Sequence, residues 1–328
     1  MLLFVAGLLV IVAASELFTN SVEWAGYRLR LGAGATGSLL AALGTALPET
    51  IVPVVALLSR AHDAESVAIG AVLGGPFLLF TLGFGITGIA VVLRRRDPVL
   101  SANAAQLRRD IGTFFAGFSL LALSLLLPLP ARVVVGLLLV AVYGDHARRT
   151  LRSSDAAGDV APEPLHLLRH QRDNPHALGI AVQLLGSTVL LVVGADIFVR
   201  ALTDAAPVLH INTLVLAVLL VPVATELPET LNSVLWVRTG DDTLAAGNIA
   251  GATAFQACLT GAIGVAFTGW RPGAAGLLVG AVTVVAGLAA FALLREGRCS
   301  GRRLMLLMLP WAGYTAAVLA LGDRIAST

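Results

Sequence analysis

The sequence predicts an all-α polytopic membrane protein whose ten transmembrane helices form two inverted repeats of five. Three observations predict it. The chain is 57% hydrophobic and 13% charged, with a mean hydropathy of +0.87, which excludes a water-soluble globule. Apolar segments of about 20 residues, the length that spans a bilayer, recur along the whole chain. A short motif containing proline and glutamate occurs once in each half, in equivalent positions.

The predicted membrane spans follow one another with short connections. They lie at 2–27, 34–59, 66–93, 111–128, 130–147, 177–203, 211–237, 243–268, 273–294 and 303–322. The first span lacks a positively charged leader and a small-residue cleavage site, so we expect it to be a helix of the protein and not a removed signal.

The arginines predict the orientation of these spans. All 22 residues counted as lysine or arginine are arginine, which is typical of a GC-rich, bacterial source. With the amino terminus outside, 17 of them fall in cytoplasmic loops and 5 outside. The positive-inside rule therefore predicts a multi-pass protein of the cell (plasma) membrane with both termini outside.

One long polar segment, 148–176, divides the predicted helices five and five. We expect a first inverted repeat at 1–147, a cytoplasmic linker at 148–176 and a second inverted repeat at 177–328. Four histidines lie in or near the linker: His146, His166, His170 and His176. Their loose spacing is typical of a solvated loop, and a cytoplasmic metal sensor is the alternative.

The two halves are similar in sequence. A shift of 180 residues places ALGTALPETIVPVV at 42–55 on PVATELPETLNSVL at 222–235 without a gap. A shift of 177 aligns VAIGAVLGG at 67–75 with LAAGNIAGA at 244–252. Because five helices separate equivalent positions, we expect the second half to enter the membrane upside down relative to the first. Inverted repeats of this kind are typical of secondary transporters.

Three glutamates, Glu49, Glu226 and Glu229, fall within predicted spans and away from their ends. An ionised carboxylate near the bilayer centre costs roughly 2.5 to 3.5 kcal/mol on insertion scales. Repulsion among three like charges adds to that cost, and no arginine lies near mid-membrane to offset it. The site is therefore expected to contain cations, protons or both, and its oxygen ligands suit a hard metal ion.

Two threonines provide candidate hydroxyl ligands. Thr45 precedes Glu49 by four residues, and Thr225 precedes Glu229 by four. Residues four apart share a helix face, so each hydroxyl is expected on the same side as its carboxylate.

Two prolines provide candidate carbonyl ligands. Pro48 and Pro228 have no N–H to donate to the carbonyls of Gly44 and Ala224. Carbonyl oxygens without a helical donor are tolerated at membrane depth where they line a cavity or bind a ligand.

The repeated motif resembles the two α-repeats of the calcium/cation antiporter superfamily, the sodium/calcium exchangers. GTALPET at 44–50 and ATELPET at 224–230 are similar to the family motif G-T-S-L-P-E, and each is followed by a glycine-rich helix. The resemblance implies a sodium/calcium exchanger-like fold. It also implies that Glu49 and Glu229 bind calcium in competition with sodium, with Thr45 and Thr225 as further ligands. The first and sixth helices would slide across the bundle during alternating access.

The chain departs from the family pattern at several ligand positions, which makes it a divergent member. Ala46 and Glu226 replace the motif serines, Ala71, Gly75 and Leu79 replace polar residues of the third helix, and Ala252 and Gln256 replace Ser and Asp of the eighth, where Asn248 is kept. Gln256 is the remaining candidate ligand of the eighth helix. The lost ligands and the added glutamate favour protons, but the residues leave both sodium and proton coupling open.

The sequence thus predicts a secondary active antiporter that exports calcium or another divalent cation in exchange for sodium or protons. The alternative is a degenerate exchanger-fold protein with a binding or sensing role. An enzyme is not expected, since the chain has neither H-E-x-x-H nor G-x-S-x-G. Small inorganic cations and the lipid bilayer are the expected partners, with no cofactor, nucleic acid or obligatory protein partner.

One further acidic pair, Glu16 and Asp196, occupies equivalent positions of the first and sixth predicted helices. These residues could guide ions into the access paths or form structural hydrogen bonds inside the bundle.

Overall fold

A computed structural model of the chain describes residues 2–28, 47–59, 61–94, 98–153, 163–167 and 175–325. The helices are α1 (Leu2–Arg28), α2 (Leu47–Leu58), α3 (Ala64–Leu93), α4 (Ala104–Ser124), α5 (Leu129–Ser153), α6 (Ala177–Val208), α7 (Thr213–Thr239), α8 (Asp242–Phe267), α9 (Gly273–Leu294) and α10, in two parts (Gly301–Met305 and Met308–Ile325). Two short strands, β1 (Val99–Ser101) and β2 (Arg298–Ser300), pair antiparallel.

These elements confirm the predicted fold class. Within the described residues, 8 helices are long and apolar enough to cross a membrane. The remaining two of the ten helices are α2 and α4. The helix α2 is the described end of the span predicted at 34–59, and α4 has charged residues in its first turns. Since β1 follows α3 and β2 follows α9, their pairing places these two connections on the same side of the membrane, as ten alternating spans require.

The fourth helix begins earlier than predicted. The span predicted at 111–128 was wrong at both ends, because α4 runs from Ala104 to Ser124. Asn103 sets the start, since its side-chain oxygen accepts hydrogen bonds from the backbone N–H groups of Ala105 and Gln106 at 3.0 and 3.1 Å. The polar first turns of α4 are accommodated by packing against α8.

A rare backbone feature reproduces the repeat. Both α3 and α8 contain one π-helical turn, at Leu79–Gly83 and at Gln256–Thr260. The shift of 177 that aligns the two helices in sequence carries one turn onto the other. Because π-turns are uncommon and often lie at functional sites, this coincidence supports the inverted repeat independently of residue identity.

The helices α3 and α8 are connected at both ends by equivalent acidic residues. Asp242, at the start of α8, pairs with Arg94 at 2.6 Å and accepts a hydrogen bond from the Ser101 N–H at 2.8 Å. Its repeat equivalent, Glu65 at the start of α3, accepts from the Gly269 N–H just after α8. The two central helices therefore form a scaffold that is fixed at both membrane faces.

Close approaches between helix backbones set the rest of the packing. A Cβ placed at Gly74 of α3 would lie 2.6 Å from the Val218 carbonyl oxygen of α7, and one at Gly7 of α1 would lie 2.9 Å from the Phe198 nitrogen of α6. The small residues let α3 pack against α7 and α1 against α6. The α1–α6 pair lies beside α2 and α7, which contain residues of the repeated Pro–Glu motif.

Part of the linker is bound to α1. The described residues 163–167 form a short segment, here called the linker strap. Both the Asn20 side-chain amide and the Trp24 indole N–H donate to the Glu163 carbonyl oxygen, at 3.1 and 2.7 Å. The His166 N–H donates to Asn20 Oδ1 at 3.2 Å. These contacts lie in the last three turns of α1, at its C-terminal end.

The linker strap is also bound to α6. The Leu167 N–H donates to Gln183 Oε1 at 2.9 Å, and the Gln183 amide donates in turn to Asn20 Oδ1 at 3.0 Å. Leu165 is fully buried in an apolar cluster with Trp24 and Ile180. The strap thus joins the C-terminal end of α1 to the N-terminal end of α6.

Candidate cation site

Three buried carboxyl groups form a cluster inside the bundle. Glu49 comes from α2, and Glu226 and Glu229 come from α7; their side chains are 5%, 1% and 1% exposed. One oxygen of each lies within 4.8 Å of the others. Calcium binds oxygens at about 2.3–2.6 Å, so two ligands of one ion lie at most about 5 Å apart. The three glutamates are close enough to bind one ion together.

The carboxylate oxygens have few hydrogen-bond donors. Both oxygens of Glu49, both of Glu229 and one of Glu226 are buried with no partner in hydrogen-bonding geometry. Buried ionised carboxylates without donors are strongly unfavourable. The cluster is therefore suited to cationic ligands or protons that neutralise it.

Of the two predicted hydroxyl ligands, Thr225 is the one that the structure describes. Its Oγ1 lies 3.0 Å from Glu226 Oε1 and 3.4 Å from the Val221 carbonyl oxygen. The sequence placed Thr225 beside Glu229 on the basis of i, i+4 spacing, but its contact is with the adjacent Glu226. Thr45 and Gly44, the predicted ligands of the first repeat, lie outside the described residues.

Gln256 brings α8 into the site. Its side-chain amide faces the carboxyl groups of Glu49 and Glu226 without reaching strict hydrogen-bonding geometry. Gln256 begins the π-turn of α8, and α2 packs against this turn. A side-chain oxygen and a donor amide are thus available next to two of the three carboxylates.

The turn that carries Glu229 is held by two polar side chains. The Asn248 amide donates to the Glu229 carbonyl oxygen at 3.0 Å and lies 3.3 Å from Ser233 Oγ. The Ser233 hydroxyl lies 2.9 Å from the Glu229 carbonyl oxygen and 3.0 Å from that of Ala245. Asn248 therefore positions Glu229 through its backbone. Sequence reasoning missed Ser233, although its i+4 spacing from Glu229 could have indicated it.

The prolines of α7 do not interrupt the helix. Pro222 and Pro228 both lie inside Thr213–Thr239, and Ala224 is fully buried between them. Pro228 has no N–H, so Ala224 has no helical donor four residues on. That its carbonyl oxygen is a ligand remains a prediction.

The second acidic pair does not lie in the bundle interior. The Glu16 side chain is 70% exposed, with His166 of the linker strap at 3.7 Å. Asp196 pairs with Arg200, one turn away on α6, at 2.9 Å. Glu16 and Asp196 thus have different basic neighbours, although they are equivalent in the repeat. The expectation that they form structural hydrogen bonds inside the bundle was wrong for both.

The inverted repeat and its buried carboxylate cluster define a multi-pass membrane protein with the architecture of a secondary transporter. The family model described as sodium/calcium exchanger protein matches residues 1–144 and 179–320. The chain belongs to this family, whose members are ion exchangers and not catalytic enzymes.

Known proteins of this type are similar to the chain over most of its length. The inner membrane protein YrbG of Escherichia coli (strain K12) is 26% identical over 274 residues, which cover 77% of this chain and 75% of that protein. The crystal structure of the H+/Ca2+ exchanger CAX superposes with a TM-score of 0.77 at 17% identity, covering 99% of this chain and 83% of CAX. The sodium-calcium exchanger NCX_Mj superposes with a TM-score of 0.61 at 18% identity, covering 97% of both chains. At these identities the structural likeness shows the shared fold.

Proposed function

We propose that this protein is a secondary active cation antiporter that exports calcium, or a similar divalent cation, by alternating access. The observation that carries the proposal is the cluster of Glu49, Glu226 and Glu229, buried and within 4.8 Å of one another between the two repeats. Membership of the exchanger family supports cation antiport as the general activity.

The charge of the cluster favours a divalent substrate. Three ionised carboxylates carry three negative charges, and one divalent cation with one proton neutralises them. Carboxylate, hydroxyl and amide oxygens from Glu49, Glu229, Thr225 and Gln256 are hard ligands of the kind that calcium prefers. The predicted ligands Thr45, Gly44 and Ala224 would complete the coordination.

We propose protons as the coupling ion. Sodium sites require neutral oxygen ligands, and Gly75, Leu79 and Ala252 supply no side-chain oxygen where the family has polar residues. Carboxylates bind protons without further ligands. Such a site can hold either one calcium ion and one proton, or three protons. Alternation between these two states exchanges about two protons for each calcium, and the site remains neutral in both.

Alternating access is proposed to move the α1–α6 pair against the rest of the bundle. These two helices pack chiefly against each other, whereas α3 and α8 are fixed at both ends by the contacts of Asp242 and Glu65. A movement of the pair past α2 and α7 would expose the carboxylates first to one side and then to the other.

The membrane arrangement follows from the same proposal. The distribution of arginines favours both termini outside and residues 148–176 in the cytoplasm. The family match is divided at this segment, in support of repeat units at 1–147 and 177–328.

The test is flux into proteoliposomes with calcium measured against imposed proton and sodium gradients in separate experiments. We expect proton-driven calcium uptake that is lost in Glu49→Gln and in Glu229→Gln. Glu296→Gln is the matched control, because that side chain is 80% exposed and remote from the cluster. Normal flux in both site variants would overturn the site assignment, and flux driven by sodium alone would overturn proton coupling.

The lost family ligands at Gly75, Leu79 and Ala252 favour a second candidate, a protein that binds cations without transporting them. Isothermal titration calorimetry separates the two. Calcium binding that depends on Glu229, together with an absence of flux under every gradient, would indicate the binding-only protein.

A further inference from the structure

A second buried acidic site lies outside the carboxylate cluster. Asp110 of α4 and His146 of α5 are only 3% and 8% exposed, and His146 Nε2 lies 3.7 Å from Asp110 Oδ1. Both residues lie at the end of the bundle where α5 leads into the linker. The proposed exchange mechanism does not use this pair.

The contacts of Thr113 favour one tautomer of the His146 ring. The Thr113 hydroxyl lies 2.9 Å from the Arg109 carbonyl oxygen, to which it can donate its single hydrogen. We infer that Thr113 then accepts from His146 Nδ1, 3.0 Å away, and that Nδ1 carries a hydrogen. In a neutral imidazole the other nitrogen, Nε2, is then an unprotonated acceptor.

This tautomer points an acceptor nitrogen at a carboxylate. A neutral His146 and an ionised Asp110 would place two acceptors opposite each other in a buried site, which is unfavourable. One proton, on Nε2 or on the carboxyl group, converts the contact into a hydrogen bond. The 3.7 Å separation is longer than such a bond, so we expect the protonated pair to draw together.

The surrounding charges leave Asp110 as the nearest base of His146. Arg109 on α4 faces both groups, with its Nε 3.9 Å from Asp110 Oδ1. On α5 itself, Asp145 and Arg149 lie close to His146, but they pair with each other at 2.6 Å. The Gln106 amide of α4 also contacts Asp110.

A continuous set of contacts connects the pair to the cation site. The Tyr143 ring lies 5.7 Å from the His146 ring and 5.4 Å from the Phe255 ring of α8, measured between centroids. Phe255 directly precedes Gln256, whose amide faces Glu49. The Tyr143 hydroxyl is within electrostatic range of both Asp110 and Glu49.

We propose that Asp110 and His146 form a proton-binding site, separate from the three glutamates, whose occupancy is coupled to cation binding through Tyr143, Phe255 and Gln256. A proton on the pair adds a positive charge near the cluster and so disfavours the cation. By linkage, a bound cation disfavours this proton to the same extent. An antiporter requires this opposition between proton binding and cation binding. The coupling rests on the proposed function, whereas proton binding by the pair does not.

The first test measures the proton directly on the full-length protein in lipid nanodiscs without added calcium. We expect the ¹⁵N signals of one buried imidazole to show a retained Nδ1–H and to change at Nε2 as the pH is varied between about 5 and 9. The signals are assigned to His146 by their loss in His146→Gln. Asp110→Asn should shift this titration, while the control His62→Gln, at a 92% exposed histidine, should not. An imidazole that shows no titration, or one unaffected by Asp110→Asn, overturns the proton site.

The second test measures the coupling by calcium calorimetry at a series of pH values. In Asp110→Asn we expect the number of protons displaced per calcium to fall, by up to about one, relative to the native protein. Asp196→Asn is the matched control, because its side chain is 37% exposed and lies on α6, away from the pair. An unchanged displacement in Asp110→Asn overturns the coupling. A native protein that binds no calcium instead overturns the proposed function, and the imidazole titration still decides the proton site.

Discussion

Gln256 of α8 fills the space beside Gly75 of α3. A Cβ built at Gly75 would lie 2.7 Å from Gln256 Oε1. The two positions belong to the two glycine-rich helices of the repeat, and both differ from the family pattern. A missing side chain on one helix thus makes room for a longer side chain on the other, so the two departures are one structural change.

This relationship predicts that the two positions are coupled. Gly75→Ser should push the Gln256 amide away from Glu49 and Glu226 and weaken calcium binding, by about tenfold if roughly 1.4 kcal/mol is lost. Shortening the second side chain in Gly75→Ser/Gln256→Asn should restore much of the affinity. Calorimetry on the four proteins of the double-mutant cycle measures the coupling energy. Additive effects would show that Gln256 does not respond to position 75.

Glu226 is predicted to retain its proton when calcium binds. In Glu226→Ser, which restores the family residue, calcium binding should displace about as many protons as in the native protein, because the exchanging carboxylates of the cluster are Glu49 and Glu229. The displacement is obtained from calorimetry in buffers of different ionisation enthalpy. A fall by about one proton would mean that Glu226 itself exchanges its proton. Sodium competition should also be measured, since the restored hydroxyl adds a neutral ligand.

Two glycines related by the repeat should tolerate substitution very differently. Gly74 and Gly251 are equivalent under the shift of 177, yet a Cβ at Gly74 would lie 2.6 Å from the Val218 carbonyl oxygen, whereas one at Gly251 has no neighbour within 4 Å. Gly74→Ala should destabilise the protein by about 1–3 kcal/mol through overpacking. Gly251→Ala is the control and should leave the thermal midpoint in detergent unchanged. Equal effects would contradict the close approach of α3 to α7.

The linker strap is predicted to protect Leu165 from solvent. In a background without Cys258 and Cys299, a cysteine introduced by Leu165→Cys should react slowly with a maleimide, because Leu165 is fully buried. Leu167→Cys is the matched control on the same strap, since Leu167 is 56% exposed, and it should react rapidly.

Release of the strap should remove that protection. Asn20→Ala and Gln183→Leu each delete hydrogen bonds that join the strap to α1 and α6. Adding either substitution to the Leu165→Cys protein should increase its labelling rate towards that of Leu167→Cys. A rate that stays slow in both would show that apolar packing alone holds the strap.

The transmembrane plan was predictable because it depends on composition and periodicity. Long apolar segments, the arginine bias and the repeated Pro–Glu motif are properties of the chain itself, and they determine that it spans a membrane as two related halves. The pairing of Glu49 with Glu229 was visible for the same reason, since an acidic residue in an apolar span is rare unless it binds something.

The limits of α4 were not predictable from hydropathy. Asp110 lay just outside the predicted span, and His146 was counted among the histidines near the linker. Only the cap formed by Asn103 and the packing of α4 against α5 and α8 place Asp110 inside the bundle, next to His146. A charged residue at a helix start has the same sequence signature whether it faces water or a buried partner.

The helix count, the inverted repeat and the set of carboxylates within the membrane were all predictable from the sequence, because each is encoded in local composition and spacing. Tertiary structure decided which side chains meet: Asp110 with His146, Gln256 with the space beside Gly75, and the linker strap with Asn20 and Gln183. Such contacts join residues from different segments of the chain. They depend on how closely two backbones approach, a distance that no single segment of the chain encodes.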